Sequence, residues 1–160
     1  MVTPVATAEG AQAVSIHYLV YVSQADPKLT AEDLEEILKT SRAYNAAHGI
    51  TGILLFVEGE GRERGRFMQL LEGDAEEVEK LRRRIFADPR HHTKIVLERG
   101  EKPQRDFAGW SMAYKAMEHS ELKAHPAFAD LGEESFEARC ARDGMSQALR
   151  HLCDFWADAA

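Results

Sequence analysis

ITGILLFV, residues 50–57, and RFMQLL, residues 66–71, are two apolar runs of strand length separated by a short polar stretch rich in glycine. They read as the two arms of a β-hairpin, and the hairpin dictates how the rest of the chain is arranged around it. Before it, IHYLVYVS (16–23) is β-branched and aromatic, a first strand closed by a turn at Asp26-Pro27. Thr30 with Asp33 has the form of a capping box, and Leu34, Ile37, Leu38, Ser41 and Asn45 then follow helical spacing until Gly49. After the hairpin, Asp74 with Glu77 opens a second helix with the stripe Val78, Leu81, Ile85, ended by Asp88-Pro89. Strands four and five are expected over Lys94 to Glu98 and Ala108 to Tyr114.

The order β-α-β-β-α-β-β, with a hairpin between two βαβ-like halves, predicts an α+β ferredoxin-like sandwich with both helices on one face of a mixed sheet. The other face then needs a cover. Met145, Leu149, Leu152, Cys153 and Trp156 share a helical stripe, with a further helix expected over about Glu133 to Arg142 and a break at Gly144. The expected organisation is a flexible N-terminal arm (1–14), a sandwich domain (15–115) and a C-terminal helical extension (116–160).

The composition supports this single-core reading. The chain has 160 residues, 44% of them apolar, enough for one domain of ordinary size. Twenty Lys and Arg stand against 27 Asp and Glu, and a net charge of −7 argues against nucleic acid or an anionic membrane surface as a partner. No run approaches the roughly 18 apolar residues needed to span a bilayer. The first residues lack the basic start and apolar run of a signal peptide, so a cytoplasmic location is expected. Cys140 and Cys153 would lie roughly 20 Å apart on one continuous helix and are therefore expected to be reduced.

Several familiar sites are excluded by the same reading. GEGRERG (59–65) joins two strands rather than leading from a strand into a helix, so it is a lengthened turn and not a nucleotide loop. The seven histidines include His91-His92 but no metal-ligand spacing on a helix, and no metal site is expected. Arg82-Arg83-Arg84 reads as the solvated outer face of a helix. No nucleophile elbow or catalytic triad pattern occurs, and no catalytic residue is expected.

What remains is a set of polar residues at positions that otherwise read as core: Tyr21 and Gln69 in apolar strands, Asn45 on the buried stripe of a helix, and Trp110 in the last strand. A polar side chain removed from water needs a partner, so several from separate elements imply a private network or a polar ligand between them.

Five segments carry a resemblance: LVYVSQ around Tyr21, TSRAYNAAHGITGILLF around Asn45, FMQLLEG around Gln69, DPRHH around Arg90, and FAGWSMAY around Trp110 and Met112. In this order, from Ile16 to Tyr114, the chain resembles the BLUF family of small flavin-binding blue-light sensors. The resemblance implies FAD with its ring between the two helices, flanked by Ile37 and Ile85, and Asn45 holding its pyrimidine edge. It further implies Tyr21 and Gln69 as the photoactive pair, with Ser41, Arg90 and His91 in secondary flavin-side positions.

Trp110 and Met112 are expected to alternate onto one face of strand five and to compete for proximity to Gln69, with a direct route into the C-terminal helices. The chain departs from the family pattern in a longer segment over Glu58 to Arg66 and in Tyr44, where His or Asn is usual. Fewer than fifty residues follow strand five, so output is expected through an unidentified downstream signalling protein or a homo-oligomer rather than an attached catalytic domain. Two other readings stay open: a flavin-dependent redox protein, and an interaction module that binds no flavin.

Overall fold

A computed structural model describes residues 15–58, 65–117, 140 and 146–159. The N-terminal arm, most of the segment between strands two and three, and the expected helix over 133–142, Cys140 apart, lie outside the described residues.

The elements are β1 (Ile16–Ala25), α1 (Ala31–His48), β2 (Thr51–Val57), β3 (Arg66–Gly73), α2 (Ala75–Phe86), β4 (His91–Lys102), β5 (Ala113–Met117) and α3 (Gln147–Ala159). They form a five-stranded sheet in the order β4-β1-β3-β2-β5. All neighbours are antiparallel except β2 and β5, which run parallel. This is the mixed α+β ferredoxin-like sheet, with a C-terminal helix added.

Local chemistry sets the helix ends. The Thr30 hydroxyl accepts from the Asp33 N–H, and the Asp33 carboxylate accepts from the Thr30 N–H, so the capping box is complete. Gly49 then ends α1 in the left-handed region, φ 68°, which an L side chain adopts at a cost. Asp74 caps α2 by accepting from Glu76 and Glu77.

The sheet has a core on each face. On the front, Leu19, Leu54, Leu71 and Met112 pack under Leu34 and Leu38 of α1 and Val78 and Leu81 of α2. On the back, Val20, Ile53, Leu55, Met68 and Leu70 pack with Phe107 and Trp110 under Ala148, Leu149 and Leu152 of α3. Leu149 and Leu152 thus occupy the stripe read from the sequence, and α3 covers the back of the sheet as expected.

Three expectations need correction. β4 extends over twelve residues instead of five. It is an edge strand, and the residues that extend it beyond the apolar centre, 91–93 and 99–102, are polar, charged or glycine, so its ends read as polar loop. β5 starts at Ala113, not Ala108. Gly109 has φ 86° and the Trp110 N–H donates to the Phe107 carbonyl, a turn that an apolar composition does not reveal.

The cysteines are the third. Cys140 and Cys153 form a disulfide, with Cα atoms 5.7 Å apart. The spacing expected from the sequence assumed one unbroken helix between them, and a separation this short excludes that. No described helix is long and apolar enough to cross a membrane.

Candidate flavin site

Tyr21 sits in the interior strand β1, and sheet register puts Gln69 of the central strand β3 directly beside it, with Leu54 of β2 on the other side of Gln69. Both polar residues are buried. The Tyr21 hydroxyl donates to Gln69 Oε1 at 2.6 Å, and Gln69 Nε2 donates to Met112 Sδ at 3.3 Å. Burial, followed by the charge of Asp88, pushes the Tyr21 hydroxyl well above its usual pKa, so it remains a protonated donor.

A cleft opens above this pair between α1 and α2, with about 790 Å³ of empty space including its mouth. Its floor is Tyr21, Leu54, Phe67 and Gln69; Ile37, Ser41 and Tyr44 form one wall, and Leu81, Arg84 and Ile85 the other. Asp88, Arg90 and His91 complete the rim.

The rim groups are tied down. Arg90 binds Asp88 through Nε and Nη2 and reaches Glu36 of α1 at 2.9 Å. Burial pushes the Asp88 carboxyl up, but hydrogen bonds and charge from Arg90 outweigh it and hold that carboxyl below its usual value. His91 contacts the Ile85 carbonyl through Nε2 and the Ser23 hydroxyl through Nδ1. Since a carbonyl can only accept, the proton is on Nε2 and the hydroxyl donates to Nδ1. Burial first, then Lys94 and Arg90, lower the His91 pKa and favour this neutral ring.

Asn45 is fully buried on α1 one turn beyond Ser41, and it does not line the cleft itself. Its Nδ2 donates to the Ser111 carbonyl at 2.7 Å, while Arg42 Nε holds the Met112 carbonyl at 2.9 Å. Asn45 Oδ1 accepts no hydrogen bond from any described residue. A buried acceptor without a donor costs on the order of 1–3 kcal/mol, so this oxygen calls for a donor that the described residues do not supply.

The cleft therefore gathers Tyr21, Gln69, Ile37, Ser41, Ile85, Arg90 and His91, with Met112 beneath and Asn45 behind. Trp110 is not among them. It precedes β5 and packs against Phe107 in the back core, so Trp110 and Met112 serve opposite faces and do not compete for Gln69. The turn at Gly109 defeats the simple alternation expected of a strand.

Arg84 was hidden in what reads as a solvated arginine run. Its guanidinium carbon lies 4.4 Å from the centroid of the Tyr44 ring, and the same ring stacks on His48 at 3.9 Å. Leu81, Arg84 and Ile85 have the i, i+3, i+4 spacing of one helix face, and that spacing was the available signal.

The sequence profile described as "BLUF: Sensors of blue-light using FAD" matches residues 16–113. The chain belongs to the BLUF family. It is a flavin-binding blue-light photoreceptor of the signalling class to which these sensors belong. BlrB, a BLUF protein solved in its dark state, superposes with TM-score 0.62 at 25% identity, over 91% of this chain and 98% of that one. Klebsiella pneumoniae BlrP1, solved with FMN and cyclic diGMP, superposes with TM-score 0.67 at 28% identity, over 89% of this chain and 35% of that one.

The photoactivated adenylate cyclase subunit beta of Euglena longa is 34% identical over 95 residues, 59% of this chain and 10% of that protein. The chain spans about a tenth of the length of the cyclase relatives it matches. The residues lining the cleft suit a flavin, with facing aliphatic side chains for a flat ring and an amide on the floor, and behind them Asn45 Oδ1 is a buried acceptor without a described donor.

Proposed function

We propose that this chain binds FAD non-covalently in the cleft and signals through Tyr21 and Gln69. Ile37 and Ile85 flank the ring, Asn45 offers its unmatched Oδ1 to the pyrimidine N–H, and Ser41, Arg90 and His91 line the flavin side. A bound flavin supplies absorption of blue light and, once excited, an acceptor for one electron. Tyr21 is the donor, and its hydroxyl already points its proton at Gln69 Oε1.

The observation that carries this reading is the position of the Gln69 amide between two exchangeable partners. A carboxamide presents a donor and an acceptor on one planar unit, so rotation or tautomerisation of Gln69 exchanges what each neighbour meets. The contact given up is the cheaper one. Thioether sulfur is a weak acceptor, and Met112 Sδ offers Gln69 Nε2 little to hold it. Breaking that contact frees Met112, and with it the backbone that Arg42 and Asn45 brace.

Light sensing then passes to a downstream signalling protein or to a second copy of the chain in the cytoplasm, without catalysis by this domain. A differential affinity of about 1–3 kcal/mol between dark and lit states suffices for such a coupling. The test is the visible absorption spectrum in darkness, after blue light and during recovery. A flavin band that moves slightly to the red and returns supports the reading. A band that bleaches without shifting, or protein that stays colourless after incubation with FAD, overturns it.

A further inference from the structure

The disulfide on the back of the sheet is absorbed by nothing in the light response. Only two cysteines occur in the 160 residues, and both are used in it. Each is half-buried at the margin of the back core, where a small thiol can approach, whereas a disulfide sealed within a core is shielded from exchange. Cys153 lies on α3 next to fully buried Leu152.

We propose that Cys140 and Cys153 form a redox-controlled latch, which fixes the chain at Cys140 to α3 when oxidised and releases it when reduced. A staple essential for folding would be the main anchor of the element it ties, and α3 has other anchors. Leu149 and Leu152 are buried in the back core. Ser146 Oγ accepts from the Leu149 N–H and donates to Asp106 Oδ2, while His151 Nε2 meets Glu98 at 2.7 Å. Reduction therefore loosens the C-terminal unit and leaves the sandwich folded.

The latch is placed to act on output. α3 packs on Phe107 and Trp110, which share a short loop with Met112. In a compartment kept reducing by glutathione the pair rests as two thiols, and it closes when that poise rises. Closure is a thiol–disulfide exchange with a low-molecular-weight disulfide such as glutathione disulfide. One cysteine thiolate attacks it, forming a mixed disulfide and expelling one glutathione thiolate; the second cysteine thiolate then attacks the protein sulfur of that bond and expels the other. Two protein thiols and one disulfide become one protein disulfide and two glutathione thiols.

The test equilibrates the full chain in buffers of graded reduced-to-oxidised glutathione ratio, counts thiols by alkylation and mass spectrometry, and follows amide hydrogen exchange. Two thiols should appear together within ratios that cells span. Exchange in residues 147–159 should be several-fold faster in the reduced form, with β1 and β3 unchanged, and Cys140→Ser/Cys153→Ser should lose the dependence on glutathione. A bond that persists at every ratio, thiols that stay free in fully oxidised glutathione, or equal exchange in both forms would each overturn the latch. None of these readings requires flavin or light, so the latch can fail while the photoreceptor reading stands.

Discussion

The two faces of the sheet are packed by different rules, although Met112 and Trp110, two residues apart, serve one each. On the front, polar side chains hold partners they can exchange: Gln69 sits between a phenol and a thioether, and Asn45 Oδ1 accepts from nothing described. On the back, polar groups at the margin close on one another. Buried Glu72 accepts from Lys102 at 2.7 Å and from the Asp106 and Phe107 N–H groups, and Lys102 also reaches Asp106, which binds Ser146 of the α3 cap. A fully paired buried network resists rearrangement, and a partly paired one invites it. The Tyr21–Gln69–Met112 contacts on the front are built to change, and the Glu72 network on the back to hold its shape.

The largest break in that comparison is Gln69→Leu. It removes the planar donor–acceptor unit that lies between Tyr21 and Met112, so the reversible red shift should vanish while flavin stays bound. Tyr21→Phe should likewise retain flavin and lose the normal response. A normal light-minus-dark spectrum in both variants would mean that the exchangeable front contacts are not the switch.

Leu152→Ala attacks the other face. It empties a fully buried position and should cost about 2–5 kcal/mol in chemical denaturation. The size of the light-induced spectral shift should not change, because no back-core side chain touches Gln69 in the described contacts. A reduced shift would show that the two cores are not separable.

The same contrast explains what could be read from the sequence. Alternation in β1, β2 and β3 and the caps at Thr30, Gly49 and Asp74 reported both which faces are buried and where helices begin, so the sandwich was legible, whereas the pairing of Tyr21 with Gln69 came only with the family resemblance. Apolar pattern does not report where the backbone changes direction. The turn at Gly109 sent Trp110 to the back while a strand reading kept it beside Met112, and an assumed unbroken helix kept Cys140 far from Cys153. β4 was shortened for the opposite reason, since an edge strand keeps its hydrogen bonds while giving up its apolar pattern. Arg84 was lost because charge outweighed spacing, and Asn45 Oδ1 became informative only once every neighbour could be checked for a donor.

Met112→Leu sharpens the comparison at the one residue where the faces meet through the loop. Volume is conserved, so the stability cost should stay below about 1.5 kcal/mol. The sulfur acceptor for Gln69 Nε2 is gone, while the Arg42 and Asn45 bonds to the 111–112 backbone remain. The red shift should persist, and light should no longer alter hydrogen exchange in α3. Unchanged coupling would place the route between the faces elsewhere.

The smallest expected effect is a pH dependence confined to the front. Burial is the leading cause that lowers the His91 pKa, with Lys94 and Arg90 adding to it against the Ile85 carbonyl and Asp88. A histidine in the unfolded chain titrates near about 6.5, so below that pH the unfolded state takes up a proton that folded His91 resists. Stability from this residue is therefore complete above that pH and declines as pH falls toward the lowered folded value. Protonation would also put a second donor at Nδ1, where Ser23 now donates, and that contact would have to reverse. His91→Gln cannot titrate, so its stability should fall less than that of the wild type between pH 7.5 and pH 5.5 (roughly one unit either side of the unfolded value). Hydrogen exchange should locate the difference in β1 and the start of β4 and leave α3 alone; equal slopes for the two proteins would mean that the buried ring accepts its proton without disturbing the rim.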